Sequence, residues 1–119
     1  MGLVFHIASE ADWSAAQEAG SYTTSTRGRT LAEEGFIHAS RAEQWREVHE
    51  RFYGDVGEPL LLLVIDTDLL DVPLVEEEVP ATGETFPHLY GPLRPAAVVR
   101  VVPLEVAAAD DGPDSPGEG

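Results

Sequence analysis

The chain has 119 residues, 43% of them hydrophobic, and carries 22 acidic against seven basic side chains for a net charge of −15. Without cysteine it has no disulfide framework, thiol nucleophile or cysteine-ligated zinc. All seven basic residues are arginines, which excludes a lysine Schiff base or a P-loop lysine, and so acidic a surface repels phosphate backbones, so no nucleic-acid partner is expected.

The length suits one domain, over residues 1–107, and nine aromatics let it bury a core without staples. Residues 108–119 form an acidic tail without apolar periodicity, which reads as disordered. No basic-then-apolar leader opens the sequence, and the longest apolar run, Leu60 to Ile65, is far too short to span a bilayer. A cytoplasmic protein away from membranes, monomeric or weakly homodimeric, is the expectation.

Leu3 to Ala8 is a β run with His6 inside it. Ser9 followed by Asp12 opens a helix that Gly20 stops, with Trp13 and Ala16 toward the core. The hydroxyl-rich segment from Ser21 to Arg29, with Tyr22, Arg27 and Arg29, reads as a loop. Gly35-Phe36-Ile37-His38-Ala39-Ser40 reads as a short strand leading into a helix. Ser40 and Glu43 form its capping box, and the helix runs from about Arg41 to Phe52 with Trp45, Val48 and Phe52 as its buried stripe.

Leu60 to Ile65 is the continuous apolar run of a strand covered on both faces. Val72 to Val79 is a weaker strand bearing Glu76, Glu77 and Glu78. Phe86-Pro87-His88-Leu89-Tyr90-Gly91-Pro92 reads as a turn. Ala96 to Val106 is a strand whose Arg100 and Pro103 suggest an edge. Helices early and strands late make an α+β fold.

His6, His38 and His88 all fall near element ends, beside a hydroxyl-rich loop, and together suggest a polar pocket. They lack the i, i+2 or i, i+4 spacing that pre-forms a metal site, so no metal ligands are assigned. Ser40 lies two residues from His38 without the setting of a nucleophile elbow.

Phe5-His6-Ile7, Trp13, Gly20, Tyr22, Gly35-Phe36-Ile37-His38-Ala39-Ser40 with Gln44, Leu63-Val64-Ile65-Asp66 and Phe86-Pro87-His88-Leu89-Tyr90-Gly91-Pro92-Leu93 occur in the order of a bacterial family. On these strings, over about residues 3 to 102, the chain resembles the domain-of-unknown-function 952 (DUF952) family. That family's fold is similar to the ADP-ribosyltransferases, a split β-sheet with, here, two early helices. The resemblance implies NAD or an ADP-ribose derivative as co-substrate, and a small nucleotide or metabolite as partner. By position it puts His6 against the adenosine ribose and His38 or Ser40 on the nicotinamide side. Glu78 takes the place of the late glutamate, with Glu77 and Glu76 open as alternatives. Tyr22 or Tyr90 would stack on nicotinamide, Arg27 and Arg29 would clamp the pyrophosphate, and His88 would complete the pocket. The rival readings are a non-catalytic metabolite-binding module and a histidine-based metal protein.

Overall fold

A computed structural model describes residues 2–26, 28–54, 57–80 and 82–104; Arg27 and the expected tail lie outside them. The strands are β1 (Leu3–Ser9), β2 (Thr24–Thr26), β3 (Arg29–Thr30), β4 (Ile37–His38), β5 (Leu60–Asp66), β6 (Leu74–Glu78), β7 (Thr85–Leu89) and β8 (Val98–Leu104). The helices are α1 (Glu10–Ala19), α2 (Leu31–Glu34) and α3 (Trp45–Tyr53). Helix and antiparallel sheet mix as expected of an α+β chain.

β5 is the centre of the first sheet, ordered β1-β5-β8. Its apolar run fits because both faces are covered. Leu61, Leu63 and Ile65 join the cluster holding Trp13 and Ala16 of α1, while Leu60 and Leu62 join Ile7, Tyr53 and the flanking Trp45 and Val48 of α3. β8 is an edge, as its Arg100 and Pro103 suggest. The second sheet is ordered β4-β7-β6, and β2 with β3 forms a ribbon where a loop is expected.

Local sequence chemistry explains some ends and misplaces others. Ser9 caps α1 by accepting from the Asp12 N–H at 3.0 Å, and Gly20 closes the helix at φ 80°. The second capping box lies elsewhere than expected. Thr30 and Glu33 form it, ahead of the four-residue α2. Ser40 is no cap: α3 starts only at Trp45, and the Ser40 backbone exchanges two 2.7 Å hydrogen bonds with Phe5. Phe52 is exposed, and Tyr53 takes its place inside.

The expected turn from Phe86 is instead strand β7, central in its sheet. Pro87 sits in it because the Pro87 carbonyl accepts from the Ala39 N–H at 3.1 Å, whereas no N–H is available to return the bond. The β4–β7 ladder therefore ends at the His38–His88 pair, and the chain passes to the Phe5–Ser40 bridge. That bridge is the junction between the two sheets.

His6 locks the junction from behind. Strand alternation puts it with Val4 and Ala8 on the α1 face, opposite Phe5 and Ile7. Its Nδ1–H donates to the His38 carbonyl at 2.5 Å, and its Nε2 accepts from the Tyr22 hydroxyl at 2.8 Å. Burial lowers the His6 pKa to about 4 and raises that of Tyr22, so the imidazole stays neutral and the phenol stays a donor.

Two predictions follow from this packing. Because His6 is protonated more readily in the unfolded chain, its share of stability is complete above pH 6.5 and is lost as the pH falls toward 4. The change amounts to ~3 kcal/mol, at about 1.4 kcal/mol per pH unit. Urea midpoints between pH 7 and 4 should fall less steeply in His6→Asn than in wild type. A Cβ at Gly91 would lie 2.5 Å from Val72 Cγ1 and 3.0 Å from its Cβ, so Gly91→Ala should destabilise by about 1–3 kcal/mol in the same assay.

Candidate functional site

A cavity of about 380 Å³ opens where the two sheets part, roofed by α3. Phe5 and Ile7 of β1 and Ala39 and Ser40 after β4 form one wall. Phe86 and His88 of β7, with Val79, Thr82 and Glu84 around the β6–β7 turn, form the other. Val48, Phe52 and Tyr53 of α3 close it, with the Glu47–Arg51 ion pair of 2.8 Å among the lining groups. Gln44 ties this roof to the turn: its amide donates to Glu84 at 2.9 Å and to the Thr85 carbonyl at 2.8 Å, and its carbonyl accepts from the Arg41 N–H.

His38 and His88 are cross-strand partners, so their rings share one face, with centroids 5.2 Å apart. Phe36 stacks on His88 at 4.1 Å and meets His38 edge-on at 4.9 Å. His38 is half-exposed, and burial lowers its pKa against the opposing pull of Glu34, whose carboxylate stands 3.5 Å away. His88 is buried. Its Nδ1 lies 2.7 Å from Glu77 Oε1, while its Nε2 is buried without a hydrogen-bond partner.

The Tyr90 hydroxyl donates to the same Glu77 oxygen at 2.5 Å. These two donors, Tyr90 first and His88 second, hold the Glu77 carboxyl below its ordinary pKa, and the carboxylate in turn raises that of Tyr90. An ionised Glu77 accepts only, so the His88 proton belongs on Nδ1 and the lone pair on Nε2.

The acidic run of β6 is sorted by alternation. Leu74 packs against the core, which sends Val75 and Glu77 to the face of His88 and Phe86. Glu76 turns away and pairs with Arg41 at 2.8 Å. Glu78 turns away too, its carboxylate near Gly83 of the following turn, so Glu77 is the glutamate of the run on the His88 side. The parity of Leu74 in the sequence was a sufficient signal for that choice.

The other expected site residues divide cleanly. His38, Ser40 and His88 line the cavity. His6 is among the lining residues, but both of its ring nitrogens are engaged, by the His38 carbonyl and the Tyr22 hydroxyl. Tyr22 is a core residue, too buried to stack on a ligand. Arg29 pairs with Glu34 at 2.8 Å away from the cavity, and among the described residues Arg51 is the arginine that lines it. Tyr90 stands behind Glu77 and does not line the cavity. Sequence reasoning missed Arg51, Glu47 and Glu84, whose helix and turn positions carry no motif.

Among the described residues, no three His, Asp or Glu side chains gather to hold a metal ion, and no helix is long and apolar enough to cross a membrane.

No curated protein matches the chain. It is similar to protein CC0527 from Caulobacter crescentus: the crystal structure of that protein is 33% identical, with a TM-score of 0.74 over 87% of this chain and 86% of that one. The solution NMR structure of CC0527 gives a TM-score of 0.69 at 33% identity, over 86% of this chain and 84% of that one. A family model described as a protein of unknown function (DUF952) matches residues 7–101. The chain belongs to the DUF952 family.

Proposed function

We propose that this chain binds a nucleotide-class metabolite, of the NAD or ADP-ribose type, in the cleft between its sheets. The observation that carries the reading is His88, a residue of the wall of a cavity of about 380 Å³ whose buried Nε2 has no hydrogen-bond partner. An acceptor buried without a donor is destabilising by about 1–3 kcal/mol, a deficit that a ligand hydroxyl or N–H removes. The remaining walls suit a flat ring: Phe5, Phe52 and Phe86 supply apolar area, and the cavity is within the usual size range for small-molecule sites.

Further support comes from the architecture. Two small antiparallel sheets parting at one bridge, with α1 and α3 on the first, are compatible with the split sheet of the ADP-ribosyltransferases. His38 beside the cleft is a donor for ribose hydroxyls, and Arg51 can meet a phosphate by giving up Glu47. Glycosidic cleavage of NAD would need negative charge near the ribose as positive charge develops there, and Glu84 and Glu47 are the carboxylates on the cavity wall.

Those same two carboxylates favour a second reading, a module for a neutral ring-bearing metabolite such as a nucleoside. Among the described residues they outnumber the arginine of the cavity wall, Arg51, and repel phosphate.

Calorimetry with NAD, ADP-ribose, AMP and adenosine separates the readings. The expected result is binding of NAD or ADP-ribose, weakened tenfold or more by His88→Ala, equivalent to about 1.4 kcal/mol. Arg51→Ala should weaken the phosphate-bearing ligands and spare adenosine. Adenosine binding as well as ADP-ribose, with Arg51→Ala silent, selects the second reading. Flat thermograms for all four ligands overturn both.

A further inference from the structure

We propose that His88 is a general base, taking a proton from a sugar-type hydroxyl of the molecule bound in the cleft, with Glu77 as its positioning carboxylate. This rests on the cleft being a small-molecule site and adds a reaction to it. The substrate class is a ring-bearing molecule with at least one free hydroxyl.

The geometry supplies each part. A base needs a lone pair that no protein group occupies, and among the described residues the buried His88 Nε2 has no partner. A base also needs a fixed tautomer, and Glu77 sets it by accepting from Nδ1–H at 2.7 Å. The ring itself is held in place, stacked on Phe36 at 4.1 Å with an interplanar angle of 14°. His6 has none of this freedom, since both of its nitrogens are bonded.

In the proposed step the ligand O–H bond breaks and the Nε2 lone pair forms the new N–H bond. The former O–H electron pair stays on the oxygen. The imidazolium keeps its Nδ1–H on Glu77, whose negative charge offsets the new positive one. Tyr90 tempers this pairing by donating to the same Glu77 oxygen at 2.5 Å. Tyr90 is a positioning residue acting through Glu77.

Groups on every neighbouring element bear on His88. Glu77 faces it from β6 and His38 from β4, with Glu34 of α2 beyond His38. Glu84 on the β6–β7 turn, and Glu47 with Arg51 on α3, share the cavity wall. Of these, Glu77 is the one that hydrogen-bonds the ring.

The test reads the free protein. Long-range ¹H–¹⁵N spectra of the imidazoles, followed against pH, should find neutral His88 protonated on Nδ1 and bare at Nε2, with Nε2 gaining the proton on acidification. Glu77→Gln, whose amide can donate to the ring as well as accept from it, should release the tautomer so that an Nε2-protonated population appears. Tyr90→Phe, at an exposed position that leaves the core intact, should keep the Nδ1-protonated form, because Glu77 still accepts from the ring.

An Nε2-protonated neutral His88, or a tautomer that Glu77→Gln leaves unchanged, would overturn the proposal. None of these measurements uses a nucleotide. Their failure leaves the cleft as a binding site, and a failure of NAD to bind leaves the base assignment standing.

Discussion

The exchange of hydrogen bonds between Phe5 and Ser40 is the constraint on which the rest depends. It is one bridge wide. A longer ladder there would fuse the two sheets and leave no cleft; no bridge would let the second sheet drift from the first. Two local features hold it at that width. Pro87 cannot return a ladder bond to Ala39, so the β4–β7 pairing stops one residue short of the bridge. His6 then grips the His38 carbonyl from the α1 side, fixing the end of β4 against β1. The cavity is the space left where pairing stops.

That junction also explains why three similar histidines behave differently. Each lies on a strand or at its end, but their hydrogen-bond environments are distinct. His6 has a carbonyl on one nitrogen and a hydroxyl on the other, and burial makes charging it costly. His38 is half in water, with only a 3.5 Å contact to Glu34. His88 is buried with one nitrogen bonded and one unpartnered. The first imidazole is locked by two bonds and the third keeps one nitrogen unpartnered, a difference set by their partners and not by residue type.

Much of the fold was legible because it is local. The Leu60 to Ile65 run, the Ser9 cap and the edge character of the last strand all rest on propensity and period. The misplaced elements share one cause. Ser40 has the side chain of a cap, but its backbone is claimed by Phe5, 35 positions earlier, a long-range pairing that local pattern does not encode. The Phe86 to Leu89 stretch looks like a turn by its proline, yet both neighbours in its sheet are distant in sequence or follow from a register no motif sets. Thr30 and Glu33 did carry a legible capping box ahead of α2, overlooked beside the more apolar one at Ser40. Parity resolves the glutamates: once Leu74 is taken as core, Glu77 follows.

The acidity of the chain sharpens the electrostatics of the cleft. With 22 carboxylates against seven arginines, an arginine at the surface readily meets an acidic partner. Arg29 is held by Glu34 and Arg41 by Glu43 and Glu76. Glu77 pairs differently: among the described residues its hydrogen-bond partners are the Tyr90 hydroxyl and the His88 ring. The Tyr90 hydroxyl leaves the charge of the carboxylate uncancelled. An arginine in the place of Tyr90 would hold the same geometry while neutralising that charge, leaving the imidazolium without support. The choice of a phenol there keeps the dyad both positioned and charged.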